Sequence, residues 1–118
     1  MAKKKEMNST GFRAELQKIM PGYKWTVHKS YNPTGYLSAT GIQSSGFNRL
    51  STLLVNRRVE GGEAEYTVMS AGFGGNAPWL SEHSDGTLAR ALRGLQDYYE
   101  AMASTYRVHA IDLQNGRQ

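Results

Sequence analysis

At 118 residues the chain is sized for one compact domain around one core, and too short to favour two. Hydrophobic residues make up 39%, with 7 Tyr, 2 Trp and 3 Phe, which is outside the disordered range; the absence of cysteine excludes disulfides and thiolate metal sites. The net charge of +4 is split: residues 1–58 hold ten cations against Glu6 and Glu15, a net +8, while residues 59–118 are net −4, which fits either a polyanion-facing side on the first half or a basic tail with ordinary surface lysines.

The opening residues 1–8, MAKKKEMN, read as a disordered basic tail, and residues 9–118 as a single α+β domain. No apolar segment follows the lysines to make a secretory signal, and no run approaches the roughly 20 apolar residues of a membrane span. A free cytoplasmic protein is the expectation. From Ser9 a helix is predicted, capped by Ser9 or Thr10, with Phe12, Leu16 and Ile19/Met20 as its apolar stripe and Pro21-Gly22 as its stop.

Tyr23 to Lys29 alternates strictly, with Tyr23, Trp25 and Val27 on one face and Lys24, Thr26 and His28 on the other. That is a half-buried strand, closed by the turn residues of SYNPTG. Tyr36 to Gln43 reads as a second strand weakened by Gly41. Phe47 to Val59 is a long strand in which Leu53 and Val55 share a face with Arg49 and Arg57 while Leu50, Leu54 and Arg58 oppose them. Its imperfect phase suggests a bulge. Glu60-Gly61-Gly62-Glu63 is a hairpin turn, and Ala64 to Ala71 its partner strand. A long helix over about 85–113 carries Leu88, Ala91/Leu92, Leu95, Tyr98/Tyr99, Met102 and Tyr106 at helical spacing.

The order is α-β-β-β-α, an α+β fold whose three-stranded antiparallel sheet has both helices on one face. About 28 helical residues span about 42 Å, whereas a seven-residue strand spans about 23 Å. The last turns therefore overhang the sheet, and Tyr106, Val108, Ile111 and Leu113 need cover from the first helix or from a second copy of the chain.

The segment SAGFGGNAPWLSEHSDGTLARAL holds the residues most suggestive of chemistry. Its glycines lie about ten residues before the helix, fit neither GxxxxGK[ST] nor GxGxxG, and read as a strand exit. SEHSD contains every residue type of a hydrolytic triad, but a triad is assembled from distant segments, and Ser84 or Asp85 as a helix cap accounts for the run. His28, His83 and His109 lack metal-ligand spacing, and no acid–base carboxylate pair is evident. The expectation is a non-enzymatic protein with no cofactor and no metal.

Cations on the strands are the remaining signal. Lys24, His28, Lys29, Arg49, Arg57 and Arg58 could converge on an open sheet face, beside Tyr31, Tyr36 and Phe47, as the cation-and-aromatic lining of a nucleic-acid groove. The alternative is a protein-interaction module using the Phe73–Trp79 loop, with Phe73 and Trp79 as anchors, and the overhanging helix end with Tyr106 and Ile111, which also offers a route to a homodimer.

The α-β-β-β-α order, with an aromatic first strand and a Gly-rich stretch before the last helix, resembles the double-stranded-RNA-binding domain over about residues 9–100. That resemblance implies nucleic acid as partner, but the family's Lys-Lys-x-Ala-Lys cluster at the last helix start is matched here by SEHSDGTLARAL, so none of its phosphate-gripping residues carries over. In being short, cysteine-free and single-domain the chain is also similar to the small accessory proteins of bacteriophages and prophages. That resemblance implies an inhibitor of a host enzyme or defence nuclease, or a handler of phage DNA.

Overall fold

The computed structural model describes residues 7–45, 48–71 and 79–117, with the side chains of residues 45 and 48–50 outside that description. In chain order the elements are α1 (Ser9–Ile19), β1 (Lys24–Val27), β2 (Tyr36–Ser45), β3 (Asn48–Glu60), β4 (Glu63–Ala71), β5 (Trp79–Asp85) and α2 (Leu88–Gly116).

The fold is α+β with two helices and an antiparallel sheet, but the sheet has five strands, in the order β1-β2-β3-β4-β5, where three were expected. The four extended stretches read from sequence, one more than the α-β-β-β-α order counts, all hold strands, and the fifth strand contains the SEHSD segment. Ser84 and Asp85 are therefore not the helix cap. Thr87 is, its hydroxyl accepting from the Arg90 amide at 3.2 Å, and α2 starts three residues later than expected. Asp85 instead accepts from the Gly86 amide at 2.6 Å and pairs with Arg90 at 3.6 Å.

The start of α1 also differs from the expected cap. Asn8, extended at φ −111° and ψ 179°, accepts from Gly11 N at 2.8 Å and is the cap, in place of Ser9 or Thr10. Met7 before it packs against the core, so Met7 and Phe12 occupy the two positions of a hydrophobic staple. Residues 1–6, with Lys3, Lys4 and Lys5, lie outside the described residues.

Register explains how one face becomes the core. Trp25 sits opposite Gly41, Ala39 opposite Val55, and Val55 opposite Val68, so the inward positions of four strands line up. Phe12 and Leu16 from α1 and Leu88, Ala91 and Leu95 from α2 close over them in one buried cluster, which puts both helices on the same face. Gly61 and Gly62 take φ of 59° and 81° in the β3–β4 hairpin, a turn that needs left-handed residues.

Two irregularities bend the sheet. The register slips between Gln43 and Ser44 so that Leu50 on β3 has no partner, and again between Ser70 and Ala71 so that Leu80 on β5 is skipped. The second of these bulges re-aims Leu80 toward the helix side, where it lines a groove with Leu53 and Leu92.

Candidate functional site

The sequence-predicted cations do not share a surface. Alternation and register place Lys24 and His28 on the open face, and the His28 ring bonds Thr40 at 2.7 Å there. Arg58 is on the same face, beside Tyr36 and directly opposite Glu65. Those side chains, with Asn56, Thr67, Met69, Glu82 and Ser84, line a shallow cleft of about 340 Å³. Its one cation, Arg58, faces two carboxylates, Glu65 and Glu82, so the local field leans negative. The neighbouring row is uncharged: Ser38, Asn56, Thr67 and Ser84 lie side by side, with Ser38 donating to Asn56 and Thr67 bonded to Ser84, both at 2.8 Å.

Arg57 is on the other side. Its Nε donates to the Tyr66 hydroxyl at 3.2 Å, and Tyr66 in turn donates to Glu15 of α1 at 3.0 Å. This relay links α1 to β3 and β4 beneath the helix layer, so Arg57 is engaged in a contact within the fold. Lys29 lies past the end of β1, 5.8 Å from the Tyr31 ring centroid, and Tyr31 is 95% exposed. Arg49 is opposite Ser44 in β3, with its side chain outside the described residues, as Phe47 and Phe73 are entirely.

Burial first, and then the negative Glu15 beside it, push the Tyr66 hydroxyl above its usual range, while Arg57 pulls the other way. A raised pKa in the folded state means that the proton contributes stability below the unfolded value of about 10, and that this is lost as pH rises through the folded value. Urea midpoints should therefore fall as pH passes about 10, and Tyr66→Phe should flatten that slope while lowering stability at pH 7 by about 1 kcal/mol. Equal alkaline slopes in the two proteins would refute the assignment.

The helix side has a different character. Met20, Tyr23, Leu53, Leu80, Leu92 and Tyr99 line an apolar groove of about 540 Å³ between the end of α1 and the middle of α2. Its few polar groups are occupied: Tyr23 bonds Ser51 at 2.5 Å, and Ser70 bonds Tyr99. α2 passes this groove and continues as a bare helix, with Tyr106 64%, Val108 56%, Ile111 50% and Leu113 70% exposed. Trp79 (45% exposed) stands at the same end of the sheet, opposite Ala71.

Of the groove-lining residues, the sequence places Met20, Tyr23 and Leu92 on apolar faces without pointing to a groove, and gives Leu80 no role. For Leu80 the polar run that follows it hid a strand. The triad-like residues resolve into a strand too. Ser81, His83 and Asp85 alternate with Glu82 and Ser84, and the His83 ring packs so closely on α2 that a methyl at Gly94 would overlap it. Gly94 is in mid-helix for that reason. Among the described residues no group of three His, Asp or Glu could hold a metal ion, and no helix is long and apolar enough to cross a membrane.

No family model matches the chain, and no curated protein or solved structure matches it either.

Proposed function

We propose that the chain is a non-enzymatic protein-interaction module whose docking surface is the α2 side: the projecting half-helix, the groove beside it, and Trp79 and Leu80 at its rim. One observation carries the reading. The large exposed apolar side chains of β5 and α2 gather at the end of the sheet from which α2 leaves, whereas the cleft on the open sheet face is largely polar, with one cation against two carboxylates. Apolar patches of this extent mark interfaces, and aromatic anchors supply most of the energy in such patches.

Affinity purification with the nuclease-treated full chain tests it. A protein recovered in stoichiometric amount at high salt, whether another copy of the chain or a different protein, should be lost with the pair Tyr106→Glu and Leu113→Glu. Recovery of nucleic acid alone, or the same proteins recovered with the variant, would overturn the reading.

Nucleic-acid binding is the second reading, and a specific observation favours it: Lys24, His28 and Lys29 are exposed along the edge strand and the turn after it, beside the bare Tyr31 ring. Backbone contacts through so few cations would be weak and steeply salt-dependent. Lys24→Ala with Lys29→Ala should then abolish binding to short single-stranded and duplex probes at low salt. Arg57→Ala is unsuitable as a test, because it removes the hydrogen bond that Arg57 donates to Tyr66 within the fold.

A further inference from the structure

Three features of the helix side bear on what occupies it. The first is a stripe that continues past its own support. Leu95, Tyr99, Met102, Tyr106, His109 and Leu113 follow one another at alternating steps of four and three, the spacing of a helix–helix seam. In α2 only Leu88, Ala91 and Leu95 are buried in the chain's own core. Ala103 and Ala110 flank the outer part of the stripe, small enough to admit a close neighbour, while Arg93, Asp97, Glu100 and Arg107 stand off it.

The second feature is that the projecting half is apolar on its back as well, through Val108 and Ile111. A helix apolar on two sides is one that is covered on two sides. The third is where the groove opens. α1 leans on β1, and α2 on β4 and β5, which leaves Leu53 of β3 as the groove floor between the helices. Met20 at the end of α1, Tyr23 before β1, Leu80 on β5 and Ala103 on α2 form its rim. These residues lie at the end of the sheet from which α2 projects, and Ala103 of α2 lines the groove just before the projecting half begins.

Resting on the reading of the α2 side as an interaction surface, we propose that its occupant is a second copy of this chain. The two α2 helices run antiparallel about a two-fold axis. The projecting half of each lies along the partner's α2 with the Tyr106–Leu113 stripe, and turns Val108 and Ile111 toward the partner's groove. The two-fold arrangement closes on itself, each copy giving and receiving the same element. Parallel pairing would bury the stripe alone and leave both grooves empty.

The area is sufficient. The exposed apolar residues of β5 and α2 are 45–70% accessible. At about 200 Å² for each large side chain they offer roughly 800 Å² per copy, which matches the about 800 Å² each partner contributes to a stable interface.

Light scattering on the eluting full chain tests the proposal. The wild-type mass should be twice 13.1 kDa at micromolar concentration. Tyr106→Glu with Leu113→Glu, both outside the chain's own core, should weaken association about a hundredfold or more and leave the circular dichroism of the folded body intact. Because the chain lacks cysteine, a mixture of Leu113→Cys and Leu80→Cys proteins should also give a mixed disulfide between copies on mild oxidation. A monomer at all concentrations, or a dimer indifferent to the glutamates and yielding no mixed disulfide, would overturn it. A monomer that captured a different protein through Tyr106 and Leu113 would overturn this proposal and leave the interaction-module reading standing. A monomer that captured nothing would remove both.

Discussion

Gly41→Ala is expected to destabilise the protein by about 2 kcal/mol or more, although alanine is intrinsically the better strand residue. The two contributions have opposite signs. Removing glycine's extra freedom favours the folded state by about 0.5–1 kcal/mol. Against that, a methyl on Gly41 would stand 2.7–2.8 Å from three ring atoms of Trp25, which lies across from it in β1. The indole has nowhere to go. It is 5% exposed, its Nε1 donates to Met20 O at 3.1 Å, and the Tyr23 ring is tilted against it at 5.8 Å. Overpacking of a fixed core group costs about 1–3 kcal/mol and sometimes more, so the steric contribution wins. Urea denaturation followed by tryptophan fluorescence would measure it. The combination of Gly41→Ala with Trp25→Leu should be less destabilising than the sum of the two changes, because the smaller side chain leaves room for the methyl. A Gly41→Ala protein as stable as wild type, or strict additivity in the pair, would show that the ring does not rest on the glycine.

Gly41 also shows where the sequence was legible and where it was not. Alternation in YKWTVHK assigned Trp25 inward and Lys24 outward correctly, because a strand with one buried face writes that face into every second residue. β2 was read as a strand too, but one weakened by Gly41, since a glycine with no side chain leaves no mark of what packs over it. β5 was missed for a related reason. It is an edge strand, exposed along most of its length, so SEHSD has no apolar alternation to betray it. Its residue types suggested a helix cap, whereas pairing with β4 is a property of the sheet and not of the segment. The long helix was plain from its stripe, and its overhang followed from comparing two lengths.

The cations illustrate a second kind of limit. Arg57 and Arg58 are neighbours in sequence and equal in charge, and composition alone cannot separate them. Strand alternation sends them to opposite faces, which was readable. What Arg57 meets beneath α1 was not readable, because Glu15 and Tyr66 are 42 and 9 residues away in the chain. The +8 of the first half is therefore not the charge of any one surface: Arg57 is turned beneath α1, on the other side of the sheet from Arg58, and Arg58 is offset where Glu65 faces it. The apolar gathering at the opposite end of the molecule depends on the Leu80 bulge, and a one-residue register slip has no signature in a single sequence.

Phe12→Ala should be the most damaging of the single changes considered, lowering stability by about 3–5 kcal/mol. α1 is 11 residues long, too short to persist in water by itself. Its attachment rests on Phe12 and Leu16, both fully buried and one turn apart, supplemented by Arg13 donating to Trp25 O at 3.1 Å and by the Glu15–Tyr66 bond. Removing the Phe12 ring takes away the larger of the two buried anchors, and the remaining polar contacts are partly exposed, where each contributes on the order of 1 kcal/mol. Against a total stability of about 5–15 kcal/mol for a domain, the loss would bring α1 close to detachment before the sheet unfolds. Hydrogen exchange separates the two events. Amides of residues 12–20 should lose protection in the variant, while those of the central β3–β4 pairing keep theirs. Phe12→Leu, which conserves much of the volume, should cost less than about 1.5 kcal/mol. If Phe12→Ala unfolded the chain outright, the leucine variant would carry the comparison; an alanine variant with α1 amides as protected as in wild type would show that the helix is held by something other than its buried ring.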